Sequence, residues 1–158
     1  MGDSRIYFFS ALKPENNPEE DLLESWKSMR VPIAYKTQIL TRSHNYNLQL
    51  DALYRNGKIS LEDLSSERQK GKALISYLGI GGLPIVDISS SPCLIQEDDI
   101  VLLCSDGLYK SLEERQILAV IQESCGDMGL AVNRLCYTAR RLRKGKLDNT
   151  TAVAVRCN

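Results

Sequence analysis

The stretch LLCSDGL, from Leu102 to Leu108, decides the fold assignment of this chain. Its apolar half has the composition of a buried β-strand, and that strand delivers Asp106 directly into a turn at Gly107. Because glycine lets the backbone turn sharply, we expect the Asp106 carboxylate to face a cleft at the end of the strand. A second aspartate, Asp148, stands at the entrance to another apolar strand in the stretch LDNTTAVAV, residues 147–155.

Two carboxylates at strand ends suit a hard cation such as Mg²⁺ or Mn²⁺. Such a metal can orient phosphate oxygens and lower the pKa of a bound water. The same residues also have an ordinary interpretation, because aspartate before glycine is frequent in turns and an Asp-Asn pair can cap its own loop. Spacing alone leaves both interpretations open.

The rest of the chain predicts a mixture of α and β structure. Alternation and turn residues predict these strands: Arg5–Phe9, Ile33–Thr41, Ile85–Ile88, Cys93–Ile95, Ile100–Cys104 and Asp148–Val155. Helical spacing predicts a helix inserted within residues 11–36, then Asn47–Tyr54, and then a helix capped by Ser60 with Asp63. We therefore expect antiparallel strands joined by short loops.

Two longer helices are predicted between the two aspartate motifs. Ser111 is the predicted N-cap of the first, with Glu114 in the capping-box position. Cys125-Gly126-Asp127 separates it from the second, whose apolar stripe includes Leu135 and Ala139. Both stripes are expected to pack on one face of the sheet. The basic residues that follow, between Arg140 and Lys146, suit the end of a helix or a docking site for phosphate or an acidic partner.

Composition excludes several classes of protein. The chain has 158 residues, 20 basic and 20 acidic side chains, and 43% hydrophobic residues, which fits one soluble domain over residues 1–158. Zero net charge argues against nucleic-acid binding, and the apolar runs are too short to cross a membrane. Five scattered cysteines indicate reduced thiols and a cytoplasmic protein, and the single histidine, His44, excludes a His-rich zinc site.

The motifs in their order resemble the C-terminal half of the metal-dependent protein phosphatase (PPM) family, the type 2C serine/threonine phosphatases. Besides LLCSDGL and DNTTAVAV, residues 2–5 resemble the family's GDSR, 40–44 its LTxDH segment, 56–60 its G-x-I motif and 77–79 its LG. The resemblance runs from Gly2 to Val155 with one gap. It implies an α+β fold, an α-β-β-α sandwich with its N-terminal part missing.

The resemblance also implies a reaction and a set of site residues. The reaction is hydrolysis of phosphoserine or phosphothreonine in proteins by a metal-bound water. Asp106 and Asp148 match the aspartates that ligate one metal of a pair, and Asp3 matches one that helps to hold a weaker third metal. Asn149, Gly107 and Ser105 match residues that support these ligands, and no residue of this chain matches a catalytic acid or base.

Three departures from the family pattern bear on activity. The DGHGG segment, whose aspartate bridges both metals, is absent, as are the phosphate-gripping arginine and the histidine acid. Ser43 replaces the aspartate of LTxDH, and residues 11–36 form an insertion. Because cation affinity falls with the number of charged ligands, we expect a chain that is inactive alone. The alternatives are a non-catalytic pseudophosphatase module that binds a protein partner and a truncated product without a role.

Overall fold

The computed structural model describes residues 3–12, 33–41, 45–68, 73–77, 79, 81–82, 86, 91–142 and 148–158. The helix predicted within the insertion, His44 and the basic residues 143–146 lie outside the described residues. The chain divides into two compact units, Met1–Ser4 with Thr41–Pro92 and Arg5–Leu40 with Cys93–Asn158. The single domain over residues 1–158 stays a prediction.

The second unit is built on a four-stranded antiparallel sheet with the order β2-β1-β3-β4. The strands are β1 (Arg5–Ala11), β2 (Tyr35–Ile39), β3 (Ile100–Cys104) and β4 (Ala152–Arg156). Phe9 pairs with Ile100, and Leu102 pairs with Ala154. Because side chains alternate along a strand, this register directs Phe9, Ile100 and Leu102 to one face, where each is fully buried.

Three helices of this unit follow β3 in the chain: α3 (Asp106–Tyr109), α4 (Glu114–Glu123) and α5 (Met128–Leu142). The buried residues of α5 recur at every fourth position, at Ala131, Leu135 and Ala139, so they form one stripe. These residues belong to the same core as the buried face of the sheet. The predicted pair of long helices on one sheet face is confirmed.

The first unit contains two short helices, α1 (Tyr46–Arg55) and α2 (Leu61–Glu67). Gly57 ends the first in the left-handed region, with φ of 66°. Ser60 caps the second, since its hydroxyl accepts the Asp63 N–H at 3.0 Å and the Asp63 carboxylate accepts the Ser60 N–H. Both signals were readable in the sequence.

Two local predictions are wrong. Ser111 does not cap α4, because its hydroxyl donates to the carbonyl of Gly107 at 2.7 Å and so belongs to the end of α3. The helix begins later, with Glu113 as N-cap and Gln116 completing the capping box. Residues 93–95 form no strand, and Leu94 there is 84% exposed, so pairing would gain no apolar burial.

The α+β class is confirmed. Of the expected sandwich, the described residues hold one sheet with its helical layer. The opposite face of this sheet carries exposed apolar side chains at Leu103, Val153 and Val155. None of the helices in the described part of the chain has the length and apolar character that a membrane span requires.

Candidate functional site

The two aspartate motifs meet at one edge of the sheet. Because β3 and β4 are antiparallel neighbours, the end of β3 lies beside the start of β4. Ser105 joins the two segments through three hydrogen bonds. Its N–H donates to the Thr151 carbonyl at 3.0 Å, its hydroxyl donates to the Asn149 carbonyl at 3.1 Å, and that hydroxyl accepts the Thr151 N–H at 3.0 Å.

Asp106 occupies the first position of α3, directly after this junction. Its side chain is 23% exposed, and one carboxylate oxygen, Oδ2, accepts a hydrogen bond from the Lys110 ammonium at 2.6 Å. The sequence predicted a turn at this point, and the structure has one turn of helix instead. The carboxylate is therefore fixed by its own helix at the end of the strand.

Glycine is required at position 107 because the backbone there passes close to Asn149, and not because the chain turns sharply. Its φ is not positive, which corrects the reason given for glycine in the sequence motif. A β-carbon at this position would overlap the Asn149 carbonyl oxygen and lie 2.9 Å from the Thr150 hydroxyl. The missing side chain thus lets the backbone that carries Asp106 approach the loop that carries Asp148.

Asp148 is exposed, and its Oδ1 accepts the Asn149 N–H at 3.0 Å. This bond reaches only the next residue and is not the Asx turn of a self-capping loop, so both interpretations of this aspartate remain open. The contacts of Asn149 with Ser105 and with the Gly107 position are made by its backbone carbonyl. The Asn149 carbonyl lies against Gly107, and the Ser105 hydroxyl bridges Asn149 and Thr151. The supporting roles that the resemblance implies for these three residues toward a metal stay a prediction.

The donor set suits a hard cation but is small. Asp106 and Asp148 offer carboxylate oxygens, the ligands that Mg²⁺ and Mn²⁺ prefer. Among the described residues, no group of three or more His, Cys, Asp or Glu side chains could hold a metal ion. Asp3 lies in the first unit, so its part in a metal site stays a prediction. That Asp106 and Asp148 bind a metal likewise stays a prediction.

Cys104 closes β3 immediately before the site, and it is not a nucleophile. Only 5% of the residue is exposed, and burial raises the pKa of the thiol to about 11. Burial also raises the pKa of Cys136, whose sulfur lies 4.0 Å from the Thr150 carbonyl oxygen. Both thiols are protonated at neutral pH, and Cys104 belongs to the core next to the site.

Lys110 is the site residue that sequence reasoning missed. The signal was present, because residues four apart on a helix lie side by side and Lys110 follows Asp106 by four. The adjacent Tyr109 ring lies 3.7 Å from the Arg5 guanidinium and 5.9 Å from the Lys110 ammonium. Two cations therefore flank the short helix that carries Asp106.

No protein-family model and no curated protein sequence matches this chain. Several solved structures match it. The serine/threonine phosphatase of S. agalactiae matches with a TM-score of 0.61 and 22% identity over 99% of this chain and 52% of its own. MsPP, a PPM Ser-Thr phosphatase of Mycobacterium smegmatis solved with cacodylate, matches with a TM-score of 0.56 and 25% identity over 99% and 53%.

A third match is the catalytic domain of the serine/threonine phosphatase PstP with two manganese ions, at a TM-score of 0.53 and 22% identity over 99% and 51%. The chain thus spans about half the length of the solved structures that it matches. Its fold is that of part of a PPM-type serine/threonine phosphatase, which confirms the resemblance drawn from the sequence motifs.

Proposed function

We propose that this chain provides part of the metal site of a PPM-type protein serine/threonine phosphatase, with Asp106 and Asp148 as ligands for Mg²⁺ or Mn²⁺. The observation that carries the proposal is the junction at Ser105, which holds the two aspartate segments together at one sheet edge. The phosphatase fold around that junction supports the same assignment. The substrate would be a phosphoserine or phosphothreonine protein.

The residues of this chain would hold the metal and fix its position. A bound divalent ion supplies Lewis acidity, which orients phosphate oxygens and lowers the pKa of a water. Asp106 contributes from a helix anchored on β3, and Asp148 from the loop that enters β4. Gly107 sets the separation of these two backbones, because any side chain there would strike the Asn149 carbonyl.

The chain alone is expected to bind metal weakly and to turn over no substrate. Two carboxylates give a low ligand charge, and sites with few charged ligands bind divalent ions with dissociation constants on the order of 10⁻⁴ to 10⁻³ M. The sequence holds no DGHGG segment to add ligands. Turnover would require the other half of the site from a separate polypeptide or from further chain.

A non-catalytic module is the second candidate function. The Lys110 ammonium already neutralises Asp106 in this structure, and the described residues offer no third ligand. The apolar side chains exposed on the outer sheet face, Leu103, Val153 and Val155, would suit contact with a protein partner. A pseudophosphatase that binds a partner would retain these features and lack turnover.

A chimera tests the first proposal against the second. The N-terminal half of the S. agalactiae phosphatase would be fused to this chain and assayed on a phosphothreonine peptide with saturating Mn²⁺. We expect turnover that depends on Mn²⁺ and falls at least about 100-fold in Asp106→Asn, since the metal would lose a charged ligand. The matched control is Asp127→Asn, which removes a charge from the start of α5, away from the junction.

Each outcome of this experiment decides between the candidates. Turnover lost in Asp106→Asn and kept in Asp127→Asn supports the phosphatase. A folded chimera without turnover, or turnover that survives Asp106→Asn, overturns the role given to Asp106 and favours the non-catalytic module. Folding of the chimera would be read from its circular dichroism and its cooperative thermal transition.

A further inference from the structure

We propose that Lys110 is a tethered cation that competes with the divalent metal for Asp106 and thereby lowers the metal affinity of the site. This inference rests on the proposed function, in which Asp106 is a metal ligand. It goes beyond that function, since it assigns to this chain a residue that sets how much free metal the site needs.

The geometry places the Lys110 charge against the carboxylate that would bind the metal. Lys110 follows α3 directly, its N–H donates to the Asp106 carbonyl at 3.0 Å, and its ammonium lies 2.6 Å from Asp106 Oδ2. A Mg²⁺ ion binds carboxylate oxygen at about 2.0–2.1 Å. A metal on the same carboxylate would lie close to the ammonium, because the two oxygens of Asp106 share one small group, and the repulsion between the two cations would favour departure of the ammonium.

The surroundings add a second unfavourable term for the metal. The centre of the Tyr109 ring lies 3.7 Å from the Arg5 guanidinium and 5.9 Å from the Lys110 ammonium. Arg5 thus places a second positive charge against α3, the helix that carries Asp106, and this charge stays when the Lys110 ammonium moves. Because half-exposed pairs are strongly screened by water, this repulsion is moderate and leaves the site able to bind.

The cost of displacing Lys110 is also moderate. Its side chain is 51% exposed, so the ammonium can return to water when a metal takes its place. Exposed ion pairs between residues four apart on a helix contribute little to the free energy of folding. Removing the competing charge should therefore raise Mn²⁺ affinity by about threefold to tenfold, the combined effect of a lost ion pair and a lost repulsion.

The test measures Mn²⁺ binding to the purified chain by electron paramagnetic resonance of the free ion, independently of catalysis. Lys110→Met removes the charge and keeps the length of the side chain, while Lys110→Arg keeps the charge. Arg115→Met is the matched control, because it removes an exposed cation that pairs with Glu113 at 2.7 Å. Asp106→Asn is combined with Lys110→Met to locate the effect.

We expect tighter binding in Lys110→Met, wild-type affinity in Lys110→Arg and Arg115→Met, and loss of the gain when Asp106→Asn is added. Equal affinity in wild type and Lys110→Met, with weaker binding in Asp106→Asn, overturns the role of Lys110 and leaves the proposed function standing. Binding that Asp106→Asn does not weaken, or no binding in any variant, overturns the proposed function and the inference together.

Discussion

Strand β3 carries an aspartate at each end, and the two carboxylates have opposite environments. Asp99 precedes the strand, is 1% exposed, and accepts two backbone N–H groups, from Ala11 and Gln96, each at 2.8 Å. Asp106 follows the strand, is partly exposed, and pairs with the flexible side chain of Lys110. The same residue type thus serves two purposes on one strand.

The partners explain the difference. Backbone amides that are fixed by the fold cannot leave a carboxylate, so Asp99 is committed to joining β1 and the turn before β3. A half-exposed lysine can leave, so Asp106 can exchange one cation for another. Next to Asp99, Arg156 of β4 also donates a hydrogen bond from Nε to Asp98 Oδ1 at 3.2 Å, which adds a contact between β4 and the turn before β3. One end of the strand stabilises the fold, and the other carries the aspartate that we propose as a metal ligand.

The largest effect that would break this comparison is expected at Asp99. Asp99→Ala removes the buried carboxylate that accepts two backbone N–H groups, and we expect a loss of about 2–5 kcal/mol in the free energy of unfolding. Asp106→Ala should change it by less than about 1 kcal/mol, because it removes one exposed ion pair. Urea denaturation of both variants gives the two values, and similar losses would contradict the division of roles.

Most of the sheet was predictable from the sequence. Short apolar runs located β3 and β4, and the helical spacing of residues such as Leu135 and Ala139 located α5. These signals are local and repeat over several residues, so packing reinforces them. The prediction that Ser111 caps α4 was wrong because a serine can also hydrogen-bond to the end of the preceding helix. Only the position of α3 decides which of these two roles Ser111 takes.

The sequence named Asp106 and Asp148 as candidate site residues but did not predict the contacts around the ends of β3. Asp106 and Asp148 stand in recognisable motifs, but Asp99 carries no motif, and its partners lie 88 residues and three residues away along the chain. The close approach at Gly107 depends on Asn149, which is distant in sequence. Such pairings are set by the register of the sheet, which a single sequence does not specify.

An alkaline titration sharpens the comparison at the end of β3 that precedes Asp106. Cys104 is the last residue of this strand and still belongs to the hydrophobic core. Its folded pKa of about 11 exceeds the value of 9.0 for a free thiol, so the folded state holds the proton more tightly. This stabilisation is complete below about pH 9 and is lost as the pH rises through about 11, and it amounts to roughly 2–3 kcal/mol.

The measurement compares the free energy of unfolding of wild type and Cys104→Ala at pH 8 and pH 10.5. Wild type should lose more stability over this interval, because the variant has no thiol at this position to titrate. Burial also raises the pKa values of Tyr7 and Tyr35, and this contribution is common to both proteins; the smaller interaction of Tyr7 with Cys104 exists in wild type alone and adds to its loss. Parallel pH profiles would show that Cys104 is not buried as described.

The approach of the two aspartate segments is tested at Gly107. Gly107→Ala places a methyl group against the Asn149 carbonyl, and we expect a loss of about 1–3 kcal/mol together with weaker Mn²⁺ binding. Gly82→Ala is the control, because nothing lies within 4 Å of its β-carbon position and the change should stay within about 0.5 kcal/mol. A neutral Gly107→Ala would show that the loop moves away freely.

The smallest expected effect concerns the hydroxyl that joins the segments. Ser105→Ala removes one donor to Asn149 and one acceptor for Thr151, both partly open to water, so we expect a loss of about 1 kcal/mol. Ser105→Thr retains the hydroxyl and should recover most of it. Mn²⁺ affinity should fall with stability in Ser105→Ala, because the junction positions both ligands. If Ser105→Ala lost stability but kept full Mn²⁺ affinity, the junction would belong with Asp99 to the scaffold, and Asp106 alone would define the functional end of β3.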